Sequence, residues 1–267
     1  MPPLVALSIA GSDSGGCAGL QADMRTFAAL GVLGTTAITC VTAQNTTGVN
    51  AVHVMPAAFV REQIEAVIVD MTVAGAKTGL LATEGIIKEV AALAPRLPPL
   101  VVDPVLVAST GRSLAEKAAV HAYREHLLPL CAVVTPNLYE ARALLGEKVA
   151  NLNDARDAAR RLGDLAPVVV VKGGDAGDPD SSVDVVWDGR RCWEISRPRV
   201  RTTNTHGSGC TFSAAITVGL ARQLPVEEAV REANAFVHTA IEGGANWHLG
   251  AGPGPLDHFG WGDGAST

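Results

Sequence analysis

Short apolar runs recur along the chain at Leu4–Ala10, Thr35–Cys40, Val73–Ala76, Leu100–Val102, Cys131–Val134 and Val168–Val171. They are rich in β-branched residues, and Gly, Pro, Asn or Asp follow most of them, which predicts strands buried on both faces. Between several of these runs the apolar period becomes helical. Val60, Ile64, Val67, Ile68 and Met71 recur at helical spacing, as do Val226, Val230, Ala233, Val237 and Ile241 after Pro225. Leu152–Leu162 is a charged, Ala-rich amphipathic segment for which Asn153 or Asp154 is the predicted N-cap. Val183–Trp187 and Cys192–Ile195 flank Asp188 and Gly189, the signature of a hairpin and so of an antiparallel addition. Alternation of strand and helix over the whole length predicts an α/β fold, a mostly parallel central sheet with helices on both faces. No linker, repeat or low-complexity stretch divides the chain. Residues 1–267 therefore read as one domain, with a polar loop at 175–182 and a polar tail from about residue 262. In such sheets ligands bind beyond the carboxyl ends of the strands, so chemistry is sought in the loops that follow them.

Composition narrows the function classes. With 48% hydrophobic and 18% charged residues the chain can build a core and is not disordered. A net charge of −6 with no basic run argues against nucleic acid and anionic lipid as partners. The five cysteines are an odd number, widely spaced and without a C-x-x-C pair. That predicts neither a disulfide framework nor a zinc knuckle, but reduced thiols in the cytosol. The start, Met-Pro-Pro before Leu4–Ala10, has no basic n-region and too short an apolar run to span a bilayer, so no signal peptide or membrane helix is expected.

Six strand-end segments carry candidate chemistry. Gly11–Gly19 has four glycines in nine residues, which reads either as a tight βα turn or as backbone that approaches a ligand. It lacks the G-x-G-x-x-G spacing, and Cys17 and Ala18 stand where a Walker loop needs Lys and Ser/Thr. Asn204–Cys210 leads through Gly207, Ser208 and Gly209 into a run of small residues, which predicts a helix N-terminus and an anion site. Cys210 falls in the first turn of that helix, a position that lowers a thiol pKa, although most free cysteines are simply small buried residues. Asn137 and Glu140 have capping-box spacing; the same two groups could hold hydrated Mg²⁺. Lys172, beside Gly173 and Gly174, is either a phosphate contact or a solvated turn residue. Gln44 carries a donor and an acceptor, so it either reads a heterocycle edge or is a solvated loop residue, and Asp103 ends a strand either near metal or only in a turn. The histidines at 53, 121, 126, 238, 248 and 258 form no H-x-x-x-H pair.

Together these segments resemble the hydroxymethylpyrimidine/phosphomethylpyrimidine kinases of thiamine biosynthesis, in the ribokinase-like superfamily. The resemblance runs from Leu4 to Trp261 and rests on Ala10–Gly16, Ala18–Asp23, Thr42–Thr46, Asp103–Val105, Thr135–Leu138 with Glu140, Lys172–Gly174, Asn204–Cys210 and Gly254–Phe259. It implies a three-layer α/β/α sandwich and ATP- and Mg²⁺-dependent phosphorylation of 4-amino-5-hydroxymethyl-2-methylpyrimidine, then of its monophosphate. It also implies roles. Gly207, Ser208, Gly209 and Cys210 form the anion hole, with Cys210 in the catalytic place. Gln44, Gly11 and Asp23 belong to the pyrimidine pocket, walled by Leu80 and Val107. Lys172 lies on the nucleotide side, and Asn137, Glu140 and Asp103 lie near Mg²⁺, mostly through water. A homodimer is typical of the family. Cys17, Leu80, Asp175, Thr203 and Ser109 depart from the family's usual Gly, Met, His, Lys and Lys; the last two remove positive charge from the phosphate side. Competing readings are a pyridoxal kinase with the same Cys motif, a catalytically weak pyrimidine-binding regulator, and an unrelated doubly wound binding domain.

Overall fold

In the computed structural model, which describes residues 2–106, 117–174 and 179–263, the strand Val5–Asp13 (β1) lies near the centre of one sheet. The helix Gly19–Ala29 (α1) follows, then Leu33–Asn45 (β2), Gly48–Val54 (β3), Ala57–Asp70 (α2), Val73–Thr78 (β4) and Glu84–Leu93 (α3). Next come Leu100–Val102 (β5), Lys117–Ala122 (α4), Val133–Val134 (β6), Leu138–Leu145 (α5), Leu152–Leu162 (α6) and Val169–Val171 (β7). The hairpin Ser181–Trp187 (β8) and Cys192–Pro198 (β9) precedes the two last long helices, Ser208–Ala221 (α7) and Val226–Gly244 (α8). Among the described residues nine strands run in the order β3-β2-β1-β4-β5-β6-β7-β8-β9. All neighbours from β2 to β7 are parallel, and β3, β8 and β9 pair antiparallel with the strand before them.

The pleat sends alternate residues to opposite layers. Val102, Val134 and Val171 pack with Ile64 of α2, Ile86 of α3, Leu144 of α5 and Leu162 of α6. Val101, Val133 and Val170 pack instead with Phe212 and Ile216 of α7 and Val230 of α8, while Phe27 of α1 covers Ala6. The small residues of α7 let it lie close: a Cβ on Gly219 would sit 2.6 Å from Ala229 Cβ, and one on Gly75 of β4 would sit 2.8 Å from the Thr217 carbonyl. The three layers follow from this two-sided burial. No helix among the described residues is long and apolar enough to cross a membrane.

Two details differ from the pattern reading. β2 continues to Asn45, well past Cys40, because β3 zips onto Cys40–Asn45 as an edge strand. Its one-sided, largely exposed surface carries polar residues and so no continuous apolar signal. The N-cap of α6 is Asn151, whose side chain accepts the Asp154 N–H at 3.0 Å; Asp154 instead accepts from Ala150 N. Val107, expected as a pocket wall, and the departures at Ser109 and Asp175 lie outside the described residues.

Candidate functional site

β1 connects leftward to β2 while β4 connects rightward to β5, so the order of the sheet reverses between β1 and β4. That switch point opens a crevice at the carboxyl ends, and two glycine-bearing segments fill its rim. In the first, the Asp13 carboxylate accepts the N–H groups of Gly15, Cys17 and Ala18 at 2.8, 3.0 and 2.8 Å, which ties 13–18 into a closed loop. In the second, Gly207 has φ +90° and caps α7, and a Cβ there would fall on the Cys17 carbonyl oxygen. Only glycine fits that conformation and approach, and it is how segments 190 residues apart meet. Gly11 packs against Cys40 and Leu80, where a Cβ would stand 2.7 Å from the Cys40 sulfur.

At the start of α7 the Ser208 N–H bonds the Thr205 carbonyl at 3.1 Å and the Thr211 N–H bonds Gly207 at 2.9 Å. Among the described residues this leaves the N–H groups of Gly209 and Cys210 for a ligand, the orphan donors of a helix N-terminus. Lys172 stands beside them: its Nζ would lie 3.1 Å from a Cβ on Gly209. It donates to Asp103 Oδ1 at 2.8 Å and lies 3.8 Å from Glu140 Oε2. Burial works against its charge, yet Asp103 and Glu140 hold its pKa above the ordinary lysine value. Asp103 also accepts from Ser213 at 3.3 Å and Thr135 at 3.4 Å. The capping box is made: Glu140 N donates to Asn137 Oδ1 and Asn137 N to Glu140 Oε2, each at 2.8 Å. Burial pushes Glu140 up to about 7, against the pull of Lys172.

Beneath the rim, Asp23 and Lys77 are both fully buried and paired at 2.7 Å. Ser8 donates to the other Asp23 oxygen at 2.6 Å, and Lys77 reaches the Cys210 carbonyl at 3.5 Å. Asp23 thus lies under the floor rather than in the crevice. The environment also reverses the expectation for Cys210. Burial, with Asp23 and Asp103 nearby, outweighs Lys77 and pushes the thiol up to about 12. The helix N-terminus predicted the opposite sign, but desolvation of a thiolate is the larger effect here. Compared with an ordinary thiol at 9.0, the thiolate fraction of Cys210 at neutral pH falls by about a thousandfold. Alkylation of Cys210 by iodoacetamide is therefore expected to be slow at pH 7 and to keep accelerating beyond about pH 9. A rate that levels off below about pH 8 would mean an activated thiolate after all.

Gln44, near the end of β2, is fixed through its backbone: its N–H donates to Ser14 Oγ at 2.8 Å and its carbonyl accepts from the same hydroxyl at 2.7 Å. Its side chain meets His206, and the segment 250–258 closes over this corner, with the Gly254 N–H on Asn204 Oδ1 at 2.8 Å. Gln44, Cys210, Lys172, Asp103 and Glu140 thus come from five different strand-end segments to one end of the sheet. Lys77 and His206 carried no sequence signal of their own. Lys77 sits inside an apolar strand, and His206 was absorbed in the glycine motif. No group of three His, Cys, Asp or Glu side chains among the described residues could cage a metal directly. Asp103 and Glu140, held by Lys172 and the cap, suit a hydrated cation bound through its waters.

The family profile described as phosphomethylpyrimidine kinase matches residues 13–257. A hydroxymethylpyrimidine/phosphomethylpyrimidine kinase from Synechococcus elongatus is 45% identical over 257 residues, covering 96% of this chain and 97% of its own. Among solved structures, the Staphylococcus aureus pyridoxal kinase in complex with ADP superposes with a TM-score of 0.89 at 36% identity, over 97% of this chain and 94% of that one. The phosphomethylpyrimidine kinase from Clostridium difficile 630 gives 0.78 at 35% identity, over 89% of this chain and 99% of that one.

Proposed function

The chain belongs to the phosphomethylpyrimidine kinase family, and we propose that it transfers phosphate from ATP to 4-amino-5-hydroxymethyl-2-methylpyrimidine and then to its monophosphate, in thiamine biosynthesis. The observation that carries this reading is the interlock of the Asp13 loop with Gly207, which sets Cys210 and two free amides at the switch point of such a sheet.

Phosphoryl transfer needs position and charge neutralisation more than covalent chemistry. Gln44 orients the ring by its edge, with Gly11 and Leu80 beside it. The amides of Gly209 and Cys210 receive phosphoryl oxygens, and Lys172 balances their charge. Cys210 takes the proton of the substrate hydroxyl. Because its own thiol is protonated at rest, that proton must first pass to solvent at the crevice, and Lys77 is the positive charge that favours the resulting thiolate. Asp103, Asn137 and Glu140 would hold Mg²⁺ through its waters, and the ion would supply neutralisation of charge on the phosphate chain. Asp23 acts through Lys77 rather than on the ring. Five free cysteines suit a reducing, cytoplasmic setting, and the resemblance to the family supports a homodimer as the expected assembly.

ATP consumption with the pyrimidine alcohol, its monophosphate, pyridoxal and ribose tests the reading. Turnover of the first two supports it; turnover of ribose alone overturns it. Pyridoxal is the second substrate to watch, because the pyridoxal kinase from Staphylococcus aureus superposes closely. For the metal, Glu140→Gln keeps an oxygen for the Asn137 N–H, so stability should change by no more than about 1 kcal/mol. The Mg²⁺ concentration for half-maximal rate should rise about tenfold or more, the usual cost of losing a group that orients metal-bound water. Superimposable Mg²⁺ titrations would leave Glu140 as a helix cap only.

A further inference from the structure

Gln44 is held at its side chain as well as its backbone. Its Nε2 lies 3.3 Å from Nε2 of His206, a histidine only 5% exposed. The His206 backbone is fixed by its N–H on the Gly254 carbonyl at 3.2 Å and by a bridge to Pro255. The Pro253 carbonyl lies against the ring, and burial holds the imidazole pKa below the ordinary histidine value, against the pull of Asp13 and of that carbonyl. At neutral pH the imidazole therefore carries one hydrogen. A carbonyl only accepts, so that hydrogen sits on the nitrogen left to face Pro253, Nδ1. Nε2 then presents a lone pair, and only the amino group of Gln44, not its carbonyl, can face it.

We propose that His206 locks the Gln44 amide in one orientation and thereby makes the site selective for a 4-amino over a 4-oxo pyrimidine. The inference rests on the pyrimidine-kinase reading. With its hydroxymethyl group at Cys210, the ring turns its neighbouring C4 edge to Gln44. A 4-aminopyrimidine offers a donor at C4 and an acceptor at the adjacent ring nitrogen. The locked amide answers with its free carbonyl and its second N–H. A 4-oxo ring offers the reverse order, acceptor then donor, and meets like with like. An unlocked glutamine could turn over and read either edge, since its carbonyl and amino group are nearly equal in size. His206 is thus a positioning residue: it acts on the substrate through Gln44.

Steady-state kinetics with the 4-amino alcohol and its 4-oxo analogue test this in the wild type, His206→Asn and His206→Leu. Asparagine places an amide near the Nδ1 position, so it keeps a donor for Pro253 and drops the acceptor facing Gln44. Leucine drops both. The wild type should favour the amino ring by about a hundredfold or more in kcat/KM, as sites built on buried hydrogen bonds do. Both variants should lose about tenfold or more of that ratio through KM, with kcat and the KM for ATP within about threefold. In a Gln44→Leu background, adding His206→Asn should change the ratio no further, because the two act as one unit. A preserved ratio with both substrates equally impaired overturns the proposal, as does the same loss of ratio in the Gln44→Leu background. A wild type that phosphorylates neither ring sinks the kinase reading instead, before the lock is tested.

Discussion

Replacing Cys210 by alanine should lower kcat by ~10²–10⁴, the span for losing a proton acceptor, while ATP and pyrimidine binding stay nearly intact. The thiol lies in the first turn of α7, beside the free amides and above Lys77. Its pKa of about 12 sets the expected pH behaviour. Since the thiolate is the acceptor, kcat should climb with pH across the neutral range without a plateau below about pH 9, and that slope should vanish in Cys210→Ala. Cys210→Asp sharpens the test. An environment that lifts a thiol from 9.0 to about 12 would carry a carboxylate from its ordinary value of about 4 into the neutral range. The aspartate variant should retain part of the activity, with its pH midpoint moved to near neutrality. If Cys210→Ala turns over within about threefold of wild type, far short of the expected span, the thiol is a packing residue.

Lys77→Met should destabilise the fold by about 3–5 kcal/mol, because it strands the Asp23 carboxylate in a site with no solvent access. Burial already raises the Asp23 pKa, and Lys77 is the first group that opposes this. The sign of the pH dependence follows. In the variant the folded state holds the Asp23 proton more tightly than the unfolded chain does. Stability should therefore fall as pH rises above about 4, the unfolded value. Adding Asp23→Asn removes the stranded charge and leaves an acceptor for Ser8, so chemical denaturation should show most of the stability recovered. Activity should not recover with it, because the thiolate of Cys210 still lacks its positive neighbour. A double variant restored in both would make the pair purely structural.

The apolar runs were enough to predict the parallel sheet, the two-sided helical cover and the β8–β9 hairpin. Each depends on local periodicity: continuous burial for central strands, helical spacing for their covers, Asp-Gly for the turn. The capping box of Asn137 and Glu140 was legible for the same reason, since both partners lie within one helical turn. The candidate site was legible as motifs, but not as an electrostatic environment. The edge strand β3 escaped because its exposed face carries no apolar alternation. Lys77 escaped because a charged residue inside a strand has meaning only once its partner on α1 is known. The pKa of Cys210 came out opposite in sign because local position records the helix N-terminus, whereas desolvation and the carboxylates of Asp23 and Asp103 arrive from other elements. His206 is the same case at the crevice: its neighbours in sequence are glycine and threonine, and its partners in space are Gln44 and Pro253. What depends on neighbours along the chain could be read from the amino acids alone. Burial, charge pairing and proton position are sums over groups distant in sequence, and only the tertiary packing decides them.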